Sequence, residues 1–307
     1  MGRMSQRMVS KTDISVANLV SNGGYLNPEQ STVFIRKMLD VPTIIQQIRR
    51  VQMSAPIRNI DKIGFGSRIL KKAPTSGTTL AASNRSAPTT EQVVLTSKPY
   101  MAEVNIPYDV LEDNIERGGL EGTIMSMITE RVTLDIEELI ITGDTTSSDE
   151  YLATLDGAIQ QVSSHTVNFG ALAETSMSKL GLKEMKKEMP TKYLRNLPAM
   201  RYFMSHNNEM NYRDTLADRE TGLGDTMVEG FRPTYAYGVP VIPAALMPEA
   251  NCLLTHPLNM IWGIQRQILV ETDRDIRGQS IVVVVSIRMD FKFEEEDAVV
   301  LGTGITD

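Results

Sequence analysis

Three histidines, one cysteine and a scatter of carboxylates are the side chains through which this 307-residue chain could do chemistry. His165, His206 and His256 are far apart, and none has a second histidine four residues away, the spacing that turns two imidazoles toward one zinc ion. Cys252 is the single cysteine, so neither an internal disulfide nor a cysteine-based zinc cluster can form. Ser205 and His206 could be joined with some aspartate into a hydrolytic triad. Neighbours along a chain do not thereby face each other as nucleophile and base, however, and no Gly-x-Ser-x-Gly elbow is present. Gly64-Phe65-Gly66 lacks the third glycine and following helix of a dinucleotide fingerprint and reads as a strand irregularity. Glu220-Thr-Gly-Leu-Gly-Asp-Thr226 has no Lys-Ser/Thr after its glycines and reads as a flexible loop, not a phosphate cradle. The expectation is a chain that is not an enzyme, with no catalytic residue, no cofactor and no metal.

The charged runs read as surface. Glu294, Glu295 and Glu296 suggest a solvated turn between strands, and Lys183, Lys186 and Lys187 an exposed helix face. Arg3, Arg7 and Lys11 could touch nucleic acid through non-specific phosphate attraction, a solubilising tail being the simpler reading. A net charge of −7 argues against a dedicated nucleic-acid binder, though not against a wall facing packed nucleic acid. No run approaches the ~20 apolar residues of a membrane helix, and no apolar stretch follows the N-terminal cations as a secretory signal requires. With 41% apolar and 22% charged residues the chain is globular, long enough for one large domain or two ordinary ones.

The elements that would position these side chains are of mixed type. Residues 1–22 read as a mobile arm, followed by a turn at 23–30 and a helix near 28–39. Pro42 could start a short helix carrying Ile44, Ile45 and Ile48. Residues 55–107 contain two strand-like stretches, IRNIDKIGFGSRILKK and EQVVLTSKPYMAEVNIP, around the polar segment Ala73–Thr90, in which Leu80 is the one large apolar side chain. That segment cannot offset its own ordering entropy. It is either a disordered loop or the end of a two-stranded arm that becomes ordered against a neighbour. The stretch 118–144 repeats Ile124, Ile128, Val132, Ile136 and Ile140 every fourth residue, a helix of ~35 Å apolar around much of its circumference. Gly143 suits the left-handed position past its end. A helix ends at Pro190, a strand spans 200–205, and a helix begins near Asn207 and stops before Gly222. In YGVPVIPAALMP, Tyr237–Pro248, a short buried strand carries Val239, Val241 and Ile242. The last 60 residues are β-rich: Ile287, Met289, Phe291 and Phe293 alternate with Arg288, Asp290, Lys292 and Glu294, the signature of a half-buried strand.

This order of parts resembles the major capsid proteins of tailed bacteriophages, with the Hong Kong 97-type α+β fold. The resemblance runs from Gly23 to the end. GGYLNPEQ resembles the passage from N-terminal arm into shell, and KPYMAEVNIPYDVLEDN the strand returning from an extended loop. LDIEELIITGD resembles the end of a long spine helix, and YGVPVIPAALMP the Gly-x-Pro-Val stretch between domains. LLTHPLNMIWGI resembles the strand after it, although the family more often carries an aspartate near His256-Pro257. The resemblance implies an arm with short helices at 1–54, an extended β-hairpin loop at 55–107, a peripheral domain at 108–169 and 251–307, and an axial domain at 170–250. It further implies inter-subunit contacts at Lys71, Lys72, Pro74, Leu80, Asn84, Arg85 and Pro88 of the loop and at Arg219, Leu223 and Asp225 of the axial domain. The implied role is self-assembly through pentamers and hexamers into an icosahedral virion shell around double-stranded DNA, built in the host cytoplasm. Portal, scaffolding and decoration proteins are its further partners, with no membrane. Scaffolding would come from a separate protein or a processed segment, and lysine crosslinking through Lys71 or Lys72 is not expected because no acceptor stands out. An encapsulin-like bacterial compartment is an alternative with the same fold, and a cytosolic α/β hydrolase or binding protein an alternative of another class.

Overall fold

A computed structural model describes residues 42–65, 68–75, 78–109, 120–172, 175–217 and 233–306. The expected arm, the turn at 23–30, the helix near 28–39 and the end of the helix after Asn207 lie outside these.

The alternation at the end of the chain builds the first sheet. Strands β10 (Met260–Asp275) and β11 (Ser280–Phe293) form a long antiparallel hairpin. β4 (Lys98–Pro107) pairs antiparallel with β11, and β1 (Arg49–Gln52) pairs parallel with β10, giving the order β1-β10-β11-β4. Ile287, Met289, Phe291 and Phe293 are buried as the period of two requires. Asp290 departs from the pattern. It is buried too, because its carboxylate turns in to accept the backbone N–H groups of Thr96 and Phe291 at 2.6 and 2.8 Å.

Helix α1 (Leu120–Thr142) covers this sheet. Its C-terminal half is buried on several sides, with Ile136, Leu139, Ile140 and Ile141 joining Trp262, Ile287 and Phe291 in one core. Ile44, Ile45 and Ile48 enter the same core, but from bends and a single turn rather than a helix. Only six residues separate Pro42 from β1, and the carboxylate of Glu137 on α1 holds the N–H groups of Thr43 and Ile44 at 3.0 and 2.9 Å. Gly143 does not have the left-handed backbone expected of it. A side chain is excluded for another reason: a Cβ there would sit 2.4 Å from the Leu155 carbonyl oxygen.

The second sheet has the order β5-β12-β9-β6-β8-β7, from Thr166–Asn168, Val299–Thr303, Cys252–Thr255, Arg201–Met204, Val239–Pro243 and Tyr235–Ala236. Both faces are covered. Phe203, Leu253 and Leu301 face the first core, while Tyr202, Met204, Leu254 and Val300 face a second one with Phe169 and helix α3 (Lys179–Glu188). A partition at residue 250 therefore runs through a continuous sheet. Val239 and Val241 are buried and Ile242 half-buried, in a strand reached through a two-residue turn at Tyr237 and Gly238, both at positive φ.

Candidate assembly interface

Strands β2 (Ile57–Gly64) and β3 (Thr89–Thr96) pair only with each other and form a separate two-stranded sheet. Of their sixteen residues only Leu95 is buried, and Ile60, Lys62 and Val93 are half-buried. An isolated two-stranded hairpin is marginal in water, so what fixes this one must lie at its root.

The root is built from one apolar contact and several polar ones. Leu95 packs with Met53 and Ile261, and Gly263 leaves the space they need: a Cβ there would lie 2.9 Å from Met53 Sδ and 3.1 Å from Leu95 Cδ1. Lys62 Nζ donates to the Glu294 carbonyl at 2.6 Å and to Glu295 Oε1 at 2.8 Å, and lies 3.3 Å from Glu91 Oε2. Burial alone would lower the pKa of Lys62, but the carboxylates of Glu295 and Glu91 outweigh it and hold the pKa above its ordinary value. Ser97 N–H donates to the Pro56 carbonyl at 2.8 Å and Ser97 Oγ to Gln265 Oε1 at 2.5 Å. Asp290, whose burial raises its pKa against the opposing pull of two N–H donors, takes the Thr96 N–H at the bend from β3 into β4.

The three glutamates at 294–296 are thus not the solvated turn that their run suggests. Glu294 pairs with Arg49 at 2.7 Å, Glu295 with Lys62, and Glu296 accepts the backbone N–H groups of Ser163 and Ser164. Those N–H donors hold Glu296 below the usual carboxylate range. Sequence reasoning missed this role because the partners lie 132 to 245 residues away. The clustering of three acids beside a strand end was the available signal.

Beyond the root, the hairpin is exposed. Ile63, Phe65, Ile69 and Leu70 present 73%, 52%, 49% and 85% of their surface to solvent, an uncovered apolar series of the kind that marks a contact surface. Lys71, Lys72, Pro74, Asn84, Arg85 and Pro88 are exposed, and Leu80 is half-buried with its carbonyl taking the Arg85 Nε–H at 3.3 Å. The structure therefore gathers the loop residues on one projection. Arg219, Leu223 and Asp225, and Arg3, Arg7 and Lys11, lie outside the described residues.

The other chemistry-bearing groups have structural roles. Ser205 Oγ accepts the Asn208 N–H at 3.2 Å as the cap of helix α4 (His206–Ala217). His256 Nδ1 accepts the Leu258 N–H at 3.1 Å at the start of a short 3₁₀ turn, the work an aspartate would do there. Burial, then the charge of Arg201, lowers its pKa and favours the neutral form that this bond needs. Cys252 is fully buried, and burial raises its pKa. Among the described residues no group of three or more metal-binding side chains occurs, and no helix is long and apolar enough to cross a membrane.

A model of the phage capsid family matches residues 23–304. A Bacillus subtilis (strain 168) protein named for a prophage capsid, YqbE, is 42% identical, the match covering 96% of this chain and 97% of that one. Among solved structures, the capsid of a native GTA particle superposes with a TM-score of 0.64 at 16% identity, over 93% of this chain and 97% of that chain. The SrpI encapsulin complex of Synechococcus elongatus PCC 7942 superposes with a TM-score of 0.56 at 12% identity, over 93% and 95%.

Proposed function

Since the chain belongs to the phage capsid family, we propose that its copies assemble through pentamers and hexamers into an icosahedral virion shell around double-stranded DNA, formed in the host cytoplasm. The observation that carries this reading is the projecting hairpin: rooted by Lys62, Leu95 and Asp290, it holds four large apolar side chains away from its own body. Burial on another copy is what makes that arrangement favourable. The long helix α1 and the first sheet then form a peripheral plate. The second sheet, with β9 and β12 included, forms the part that meets its copies at the centre of a pentamer or hexamer through the region holding Arg219, Leu223 and Asp225. DNA is non-specific cargo in this reading, with Arg3, Arg7 and Lys11 as its contacts, and portal, scaffolding and decoration proteins complete the particle.

The likeness to an encapsulin favours a second reading, a compartment around protein cargo. Negative-stain microscopy of the purified chain, followed by nuclease treatment and extraction, tests both. Uniform closed particles are expected, with protected DNA when they are produced in an infected or induced host. Particles holding protein in place of DNA support the compartment, and a chain that stays monomeric at high concentration overturns both.

A further inference from the structure

A groove of about 420 Å³ runs between α1 and strand β4, within the ~300–1,000 Å³ typical of small-molecule sites. Its floor is apolar and aromatic. Ile136 of α1 and Val285 and Ile287 of β11, all buried, line it together with half-buried Tyr100 and Tyr151. The two tyrosine rings pack edge to face with centroids 6.1 Å apart. Tyr151 OH donates to the Asp135 carbonyl at 2.6 Å, and its backbone N–H donates to Asp149 Oδ1 at 2.9 Å, so this wall is fixed.

The rim carries three carboxylates, Asp135, Glu138 and Asp149, and one cation, Arg131. Arg131 is spent on Asp135 at 2.9 Å. No lysine or arginine among the described residues pairs with Glu138 or Asp149. The excess negative charge is felt inside the groove: burial, then the charge of Asp135, raises the pKa of Tyr151 and keeps its phenol protonated. The three acids do not close on one point, since no group of three or more metal-binding side chains occurs among the described residues. A metal ion would therefore meet too few oxygens and would leave the apolar floor unused. A ligand that suits both features carries positive charge at more than one place, with apolar surface between the charges.

We propose that the groove between α1 and β4 binds a linear aliphatic diamine or polyamine, its methylene stem lying along Tyr100, Tyr151 and Ile287 and its ammonium groups meeting Glu138 and Asp149. The stem gains by leaving water, and each ammonium makes charge-assisted hydrogen bonds to a carboxylate that has no other cation. The inference does not depend on the shell-forming reading.

Equilibrium dialysis of the purified chain against labelled 1,4-diaminobutane tests it, at ~0.1 M salt to screen general attraction to an acidic protein. One saturable site per chain is expected, holding 1,4-diaminobutane at least about tenfold more tightly than butylamine or magnesium ion. Methyl resonances of Ile136 and Ile287 should shift on binding, while those of Val239 in the second core stay in place. Glu138→Gln with Asp149→Asn keeps an acceptor for the Tyr151 N–H and should weaken binding about tenfold or more. Unchanged affinity in that variant overturns the assignment. So does magnesium binding as tightly as the diamine, or binding that never saturates, because either result means loose counter-ion attraction only. If the variant does not fold, the ligand series on the wild-type chain decides: butylamine that competes as well as the diamine rejects the two-ended site.

Discussion

Excising residues 68–88 separates what the hairpin does for its own fold from what it does for other copies. Within that segment every described side chain is exposed except the half-buried Leu80, so folding loses at most about 1 kcal/mol of burial. Against this, closing a loop of roughly 3 residues in place of roughly 24 recovers about 1–2 kcal/mol of entropy, by the logarithmic dependence of closure on length. The two terms nearly cancel, and the truncated chain should unfold in urea within about 1–2 kcal/mol of wild type. Assembly is another matter. Burying Leu70 and Ile69 on a neighbour is worth about 3–5 kcal/mol per contact, which is roughly two to four powers of ten in each association constant. Sedimentation of purified chain across a concentration series should therefore show particles for wild type and slow-sedimenting material for the truncated chain at the same concentrations. Truncated chains that assemble at the wild-type concentration would refute the argument. So would a loss of folding stability above about 3 kcal/mol, since the segment would then belong to its own chain's core.

Three further outcomes follow from the same geometry. Lys62→Met removes the ammonium shared by Glu295, Glu91 and the Glu294 carbonyl and should cost about 1–2 kcal/mol, read as faster hydrogen exchange in β2 and β3 than in β10 and β11. Gly181→Ala places a Cβ 1.9 Å from Phe169 Cε1, in the second core, and should destabilise the chain by about 3 kcal/mol or more in a urea titration. Burial raises the pKa of Glu137 despite the N–H groups of Ile44 and Thr43, so the folded state holds its proton more tightly than the unfolded state. Its ionised form therefore weakens the fold increasingly as pH rises from the ordinary value of 4.5 through the raised one. Glu137→Gln, which keeps an acceptor for Thr43 and Ile44, should match wild type near pH 4 and exceed it at neutral pH. Urea midpoints that stay parallel across that range would reject this assignment.

Much of the architecture was legible because it depends on short-period patterns. The alternation at Ile287–Phe293 and the four-residue recurrence in α1 each specify a local structure that tertiary context left intact. What was not legible depends on long-range pairing. Nothing near Asp290 in sequence says that it turns inward, because the N–H it accepts belongs to Thr96, 194 residues away. Gly143 was expected at a helix cap by a local rule, whereas its real constraint is the approach of the Leu155 carbonyl. The Pro42 segment had the apolar spacing of a helix, but β1 begins at Arg49 to pair with β10, which leaves length for a single turn. In the candidate interface the exposed half was foreseeable from composition. The root was not, since Lys62 alone does not reveal Glu294 and Glu295.

The makeup of that root bears on how the arm can behave. A hairpin held by a large apolar core would have one fixed attitude, because packed cores resist small displacements. Here one leucine, one lysine and one aspartate do most of the holding, and Lys62 keeps three oxygen partners within 3.3 Å. An ammonium is a compact charge that can exchange one oxygen for another at little cost, so the arm can tilt by small amounts without losing its anchor. The proposed shell would need this, because in it the same chain would meet its neighbours at more than one angle, in pentamers and in hexamers. In the proposed shell, the exposed apolar side chains of Ile63, Phe65, Ile69 and Leu70 would supply adhesion that is non-directional, and the polar root would supply the adjustable angle. Exchanging these chemistries, with an apolar cluster at the root and polar residues at the tip, would give a rigid arm with nothing to hold.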